Sequence, residues 1–185
     1  MGYFTELLKD RVSPYEIDSE LMVRKWLEKH TDYHFEFCKN DDKYGFDIIC
    51  NQYKLDGKDW EKHQIGYIEV ELSSKWNQFQ YPGNWRSHSF LARKIYKFRN
   101  GQFINELKEG CDKMVYVIFN KPMTNCVACR PMDLLGQNPE FARVSYTGDE
   151  RFDWGLRVPL DCNIVAKGQE QVSNLVDYFL KTAMI

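Results

Sequence analysis

The segment at residues 67–72, Tyr-Ile-Glu-Val-Glu-Leu, restricts the fold more than any other part of this chain. Side chains of a β-strand alternate between the two faces of a sheet. The apolar side chains of this segment therefore point one way into a core, and Glu69 and Glu71 point the other way together. Two carboxylates on an otherwise apolar strand are costly to bury unless a cation compensates their charge.

A third carboxylate, Asp47, closes the motif Tyr-Gly-Phe-Asp and precedes Glu69 by 22 residues. On a neighbouring strand, Asp47 would converge with Glu69 and Glu71. Three such carboxylates can hold a divalent metal ion, because hard cations prefer oxygen ligands. The alternative is that both glutamates lie on the solvated face of an antiparallel sheet while Asp47 pairs with a nearby lysine.

The sequence around these acids predicts an antiparallel meander. Strands are expected at 33–38, 45–51 and 64–72, with turns at 40–43 and across the polar 54–62 stretch. Connections this short favour antiparallel pairing of consecutive strands.

A helix is expected at each end of the chain. Ser13, Pro14 and Glu16 form a helix start, because serine caps, proline suits the first helical position and glutamate completes a capping box. Helical spacing continues from there roughly to His30. Residues 169–182 predict an amphipathic helix. Its apolar stripe consists of Val172, Leu175, Val176, Phe179 and Leu180.

The middle of the chain contains one strong strand signal. The continuous apolar run at 114–119 is typical of a buried central strand, and a short strand is expected at 126–130. The other segments are a loop at 76–88, a helix or an extended segment at 89–99, and an irregular stretch at 141–160 with one strand at 155–160. Together these elements predict a single α/β domain over residues 1–185, with a core at about 13–131 and a central mixed β-sheet flanked by helices.

The net charge of −2 conceals an uneven distribution. Residues 72–105 contain no Asp or Glu, and aromatic residues are interleaved there with six cations. Cations that neutralise phosphates, beside rings that stack on bases, are typical of nucleic-acid binding. The alternative is a solvated basic face over ordinary core aromatics. The candidate nucleic-acid contacts are Lys75, Arg86, Arg93, Lys94, Lys97 and Arg99.

The order helix, strand, strand, strand, with Asp on the second strand and Glu-x-Glu on the third, resembles the PD-(D/E)XK nuclease superfamily. The motif ending at Asp47 matches its first element and Glu-Val-Glu at 69–71 its second, over about residues 13–119. The resemblance implies a restriction-endonuclease-like core (α-β-β-β-α-β) and a Mg²⁺- or Mn²⁺-dependent endonuclease. Glu71 stands where the family usually has a lysine, as Glu does in a minority of active restriction enzymes.

The resemblance also implies roles for individual residues. Asp47 and Glu69 would bind the metal with the Val70 carbonyl, Glu71 would bind metal or orient the attacking water, and the cations would hold phosphates. The catalytic candidates are Asp47, Glu69, Glu71 and Lys94, the last brought in from the following segment. The metal-ligand candidates are Asp47, Glu69, Glu71 and, from the first helix, Glu20. Glu20 is alternatively an ordinary surface acid of that helix.

Two other classes of function stay open. One is a catalytically inactive nuclease-fold module that binds nucleic acid or a protein partner, in a phage counter-defence or regulatory role. The order Glu-x-Glu, Trp76, Pro82 and Arg93-Lys94 is similar to that of phage-encoded proteins of the superfamily. The other class is a protein-interaction domain that uses the aromatic residues of 72–105. For the nuclease, DNA is favoured over RNA, and a homodimer would cut both strands of a duplex.

The remaining features concern the environment of the chain. No apolar run approaches the roughly 20 residues needed to cross a bilayer. The N-terminus lacks the order of a signal peptide. A soluble, cytoplasmic protein is therefore expected, in the host cytoplasm if phage-encoded. The cysteines lie mostly in apolar runs, as reduced buried thiols do, and a lone Cys126-x-x-Cys129 is a weak zinc signal.

Overall fold

The computed structural model describes residues 19–30, 35–42, 45–73, 75–78, 82, 85–99, 102–137, 139–145, 152–159 and 163–182. Its helices are α1 (Ser19–His30), α2 (Ala92–Ile95), α3 (Pro131–Leu135) and α4 (Gly168–Thr182). Its strands are β1 (Phe35–Lys39), β2 (Ile48–Asp56), β3 (Asp59–Ser73), β4 (Ser87–Leu91), β5 (Tyr96–Arg99), β6 (Gln102–Leu107), β7 (Met114–Asn120), β8 (Cys126–Cys129), β9 (Glu140–Ser145), β10 (Phe152–Pro159) and β11 (Ala166–Lys167).

A six-stranded mixed sheet with the order β1-β2-β3-β7-β8-β11 forms the centre of this α/β fold. The antiparallel β1-β2-β3 meander is confirmed, whereas β3 and β7 pair in parallel. The strand β3 therefore has hydrogen-bonded neighbours on both sides, and its glutamates lie in the interior of the sheet. The fully buried β7 is the predicted central strand.

The central sheet buries a different layer on each face. On one face, α1 and α4 pack over Ile48, Ile68 and Val117. On the other face, a second core forms around Trp76, Phe90 and Tyr116, and includes residues of the smaller sheet β4-β10-β9. The alternation along β3 accordingly places Glu69 and Glu71 on the second face, opposite the two long helices.

The expectation of a turn over 54–62 was wrong. Strands β2 and β3 continue through this stretch and are joined at Gly57 and Lys58, with Asp56 opposite Asp59. Gly57 has a φ of 65°, which glycine adopts at little cost in tight hairpin turns. Because the resulting arm is exposed, its strands lack the apolar alternation by which a half-buried strand is recognised.

Two further segments bear on the predictions made from the sequence. Residues 141–160 are not irregular with one strand: they contain β9 and β10, which pair antiparallel. The ambiguous 89–99 segment combines both alternatives, since the single turn α2 separates β4 from β5. In its described residues, the connection between β3 and β7 thus contains strands, the one-turn helix α2 and a 3-10 turn at Cys111–Lys113, where the implied core order has one helix.

Both terminal helices are present among the described residues. The predicted start at Ser13–Glu16 lies outside the described residues, but α1 runs to His30 as expected. In α4, the stripe of Val172, Val176, Phe179 and Leu180 is buried against the sheet, with Leu175 packed beside it. This confirms the amphipathic C-terminal helix.

We predict that Gly66→Ala destabilises the protein by about 1–3 kcal/mol. A Cβ atom on Gly66 would lie 2.5 Å from Cζ of Phe179 and 2.6 Å from the carbonyl oxygen of Lys113. Either the Phe179 ring on α4 or the Lys113 backbone just before β7 must move. Urea denaturation measures the effect. Gly136→Ala is the control, because its nearest neighbour would be 3.5 Å away. Equal stability of the two variants would contradict this account of the packing of α4 on β3.

Candidate functional site

Asp47 lies immediately before β2 and is fixed by the backbone on both sides. The Asn40 N–H donates to the Asp47 carbonyl over 2.9 Å. Phe46 is buried, with its ring centroid 5.1 Å from that of Tyr67 on β3. The Asp47 carboxylate accepts a 2.8 Å hydrogen bond from the Val70 N–H. Since Ile48 pairs with Ile68, extending that register places Asp47 opposite Glu69.

Glu69 is fully buried, with 0% of its side chain exposed. Lys94 Nζ contacts its Oε1 atom as an ion pair, and the lysine side chain is 22% exposed. Neither carboxylate oxygen of Glu69 has a hydrogen bond of normal geometry within the described part of the chain. Burial raises the pKa of Glu69 to about 7; the charge of Asp47 also raises it, and Lys94 opposes the shift.

The one-turn helix α2 brings Lys94 to this carboxylate. Ala92 and Ile95 are buried in the second core and anchor the turn. The carbonyl of Ile95 accepts a 2.9 Å hydrogen bond from the Lys108 N–H, which ties α2 to the end of β6. Between the anchors, Lys94 contacts Glu69 and Arg93 pairs with Asp153 on β10.

Glu71 has a different partner from Glu69. The Tyr116 hydroxyl donates a hydrogen bond to Glu71 Oε2. Tyr116 lies opposite Glu69 in the β3–β7 register, so its side chain reaches diagonally along the strand. Burial raises the pKa of Glu71, while the Tyr116 hydrogen bond and the charges of Arg93 and Lys94 oppose that shift. The predicted trio is therefore divided into an Asp47–Glu69 pair and a neighbouring Glu71–Tyr116 pair.

The Asp47–Glu69 pair supplies oxygen atoms of the kind that magnesium and manganese ions prefer as ligands. In the portion of the chain that is described, no three His, Cys, Asp or Glu side chains group closely enough to hold a metal. Mg²⁺ does not need three, because it is commonly bound by one or two carboxylates together with water and substrate phosphates. Glu69 Oε1 contacts Lys94, and Oε2 has no hydrogen-bond partner among the described residues; both are oxygen ligands of the required hard type. The residues present therefore fit such an ion.

The predicted nucleic-acid contacts divide into three groups. Lys75 and Arg86 line a cavity of about 550 Å³ that Glu71 also lines. Arg93, Lys94 and Lys97 pair with acids, Lys94 with Glu69 and Lys97 with Glu106 over 3.1 Å. Arg99 lies in β5, but its side chain falls outside what the structure describes. The predicted metal ligand Glu20 lies in the first turn of α1, and its side chain is likewise outside the described part.

Several residues of the site escape sequence reasoning. Tyr116 belongs to a uniformly apolar run, where its one signal is that a buried tyrosine hydroxyl needs a partner. Lys108 is close enough for Glu69 to influence its pKa, which burial lowers. Arg143 and Arg157 line the same cavity as Glu71, from strands β9 and β10. Their proximity depends on long-range pairing of the small sheet, and no local motif indicates it.

Histidine and cysteine chemistry receives no support from the described residues. His88, expected in a basic loop, is buried on β4, and burial lowers its pKa to about 4. It is therefore neutral at pH 7. Cys126 and Cys129 are buried on opposite faces of β8, which is the arrangement that argues against shared zinc ligation.

Comparisons with protein-family models, with curated protein sequences and with solved structures found no match to this chain. Among the described residues, no helix is both long enough and apolar enough to cross a membrane. Any assignment of function therefore depends on the geometry of the site itself.

Stability of the metal-free protein should fall as the pH rises from about 4.5 to about 7. The folded state holds the Glu69 proton more tightly than the unfolded state, because the folded pKa is about 7 rather than 4.5. That difference corresponds to a loss on the order of 3 kcal/mol across this window. Glu69→Gln removes the titrating group, so its free energy of unfolding should vary less with pH. Urea denaturation in EDTA at several pH values measures both profiles.

The control for this experiment is Glu28→Gln, at an exposed position of α1. It should retain the pH dependence of the wild type. If the stability of Glu69→Gln varied with pH as much as that of the wild type, Glu69 would not be the carboxyl group whose pKa rises on folding.

Proposed function

We propose that this chain is a divalent-metal-dependent nuclease of the PD-(D/E)XK type that hydrolyses phosphodiester bonds of nucleic acid. The observation that carries the proposal is the convergence of Asp47, Glu69 and Lys94. Two carboxylates, one just before β2 and one on β3, together with one lysine are the groups that the family motif combines. Here the lysine comes from α2, 25 positions after Glu69 in the sequence, rather than from the third motif position.

Each residue of the constellation has a distinct part in the proposed reaction. Asp47 and Glu69 would hold the metal, which supplies a nucleophilic water and charge neutralisation at the phosphate. Lys94 would donate to the phosphate or to the attacking water. The Glu71 oxygen that Tyr116 does not engage would accept a proton from that water, a role favoured by the raised pKa of Glu71.

The Lys94–Glu69 ion pair has a consequence for metal binding. The ammonium group neutralises Glu69 in the metal-free protein, so it compensates part of the cost of burying that carboxylate. With a metal held at Glu69, Lys94 would lose this partner. Its ammonium group would then be available to a phosphate, where phosphodiester cleavage needs positive charge.

Mn²⁺ should raise the melting temperature of the wild-type protein, because it binds the folded state selectively. At 100-fold excess over its Kd the expected rise is about 5–10 °C. The rise should disappear in Asp47→Asn and Glu69→Gln. In Lys94→Met it should persist or grow, because the competing ammonium is absent. Scanning calorimetry with Mn²⁺ or EDTA measures these changes; an equal rise in all variants would locate the metal elsewhere.

Cleavage of labelled DNA and RNA should require Mn²⁺ or Mg²⁺ and should be abolished by Glu69→Gln. Lys94→Met should lower the cleavage rate by about 10²–10⁴, the typical contribution of a positioned proton donor or acceptor. Lys58→Met is the matched control, since Lys58 lies at the exposed tip of the β2–β3 arm. If Lys94→Met cleaved at the wild-type rate, Lys94 would have no part in the reaction.

A second candidate is a nuclease-fold module that binds nucleic acid or a protein partner without cutting. The observation in its favour is that Lys94 already neutralises Glu69, as a structural ion pair would. This reading expects no response of the melting temperature to Mn²⁺ and no cleavage of any substrate. DNA as the favoured partner, a homodimer and a cytoplasmic setting remain parts of the leading proposal.

A further inference from the structure

A second cavity adjoins the one that contains Glu71. The cavity beside Glu71 measures about 550 Å³ and its neighbour about 740 Å³. Both are lined by Trp85, Arg86, Ser87 and Arg157, so the two spaces meet at these residues. We call this pair of cavities the basic groove. It runs from the strand that carries the candidate site, past β4 and β10, toward Lys167.

Cations outnumber acids along the described lining of the basic groove. The acids are Glu71 at one end and Glu140 in the neighbouring cavity. Glu140 pairs with Arg157 over 3.8 Å, but both side chains are largely exposed, and such pairs contribute little. Arg157 can therefore exchange this partner for a phosphate. The cations are Lys75, Arg86, Arg143, Arg157 and Lys167.

An aromatic ring stands at the junction of the two cavities. Trp85 is half-buried, and its ring centroid lies 6.1 Å from that of the buried Trp76 and 5.9 Å from that of His88. The backbone N–H of Trp85 donates to the Pro82 carbonyl over 3.0 Å. Trp85 thus contacts two buried rings and also lines both cavities. A fixed ring between cations is the arrangement on which bases of a single strand stack.

We propose that the basic groove binds single-stranded nucleic acid and leads it to the candidate site, so that the substrate of the proposed nuclease is a single strand or an unpaired end. Cavities of 300–1,000 Å³ accept molecules of about the size of one or two nucleotides. A base-paired helix, whose major groove alone is about 12 Å wide, does not enter a space of this size. The inference rests on the proposed function for the cutting step but not for the binding step.

Fluorescence anisotropy in EDTA tests the binding step without any metal or cleavage. The probes are labelled oligothymidylate, oligouridylate and a duplex of equal length, titrated at several salt concentrations. We expect the single strands to bind about tenfold or more tightly than the duplex. Comparison of oligothymidylate with oligouridylate separates DNA from RNA, which share the required chemistry.

Two charge-matched double variants locate the binding surface. Arg86→Gln/Arg157→Gln removes the cations common to both cavities, and Lys58→Gln/Lys121→Gln removes two exposed cations outside them. The first should reduce the slope of log K against log salt by about 1.4, at about 0.7 for each single-strand phosphate contact. The second should leave that slope unchanged. Circular dichroism checks that both variants are folded.

Trp85→Leu tests the stacking step, with Trp85→Phe as the conservative variant. Trp85→Leu should weaken single-strand binding by about tenfold, and Trp85→Phe should restore most of the affinity. Tighter binding of the duplex, no binding of any probe, or equal effects of the two double variants would overturn the inference. Single-strand binding through the groove without metal-dependent cutting would instead support the inference about binding and reject the proposed nuclease activity. Metal-dependent cutting of duplex at a rate that the groove variants do not change would support the nuclease and reject the inference about the groove.

Discussion

The contact between the fully buried Glu69 carboxylate and Lys94 is the interaction on which the rest of the site depends. An ionised carboxylate without compensation is too costly to keep in the interior of a sheet. The chain meets this requirement by anchoring a single helical turn, α2, through Ala92 and Ile95. The same turn contacts β10 of the smaller sheet through Arg93 and β3 of the central sheet through Lys94.

The two faces of β3 have different roles, so one strand contributes both to the hydrophobic core and to the candidate site. Ile68 faces the core beneath α1 and α4, which secures the strand, while Glu69 faces the second core. Pairing with β7 on the other edge brings Tyr116 to Glu71 and distinguishes the two glutamates chemically. One carboxylate thus has a cation beside it and the other a hydroxyl, so the proposed ligand and the proposed proton acceptor have different surroundings.

The sequence predicts the local elements and the pairing of consecutive strands, and it misses the pairings between segments far apart in the chain. Alternation along β3, the apolar run of β7 and the stripe of α4 each depend on neighbouring residues alone, and all three are confirmed. The extended β2–β3 arm was missed because exposed strands lack an apolar period. The cations of the basic groove include Arg143 and Arg157, which converge only through pairing of β9, β10 and β4. The grouping of Asp47 with Glu69 was expected, whereas the separation of Glu71 by Tyr116 was not.

The central claim is that Asp47 and Glu69 form a metal site in which Lys94 replaces the ion when no metal is bound. A crystal of the protein soaked in Mn²⁺ and measured at the manganese absorption edge tests it most directly. The account predicts an anomalous peak between the two carboxylates, with Lys94 Nζ displaced from Glu69. No peak there, with Lys94 still on Glu69 in a crystal that contains Mn²⁺, would contradict it.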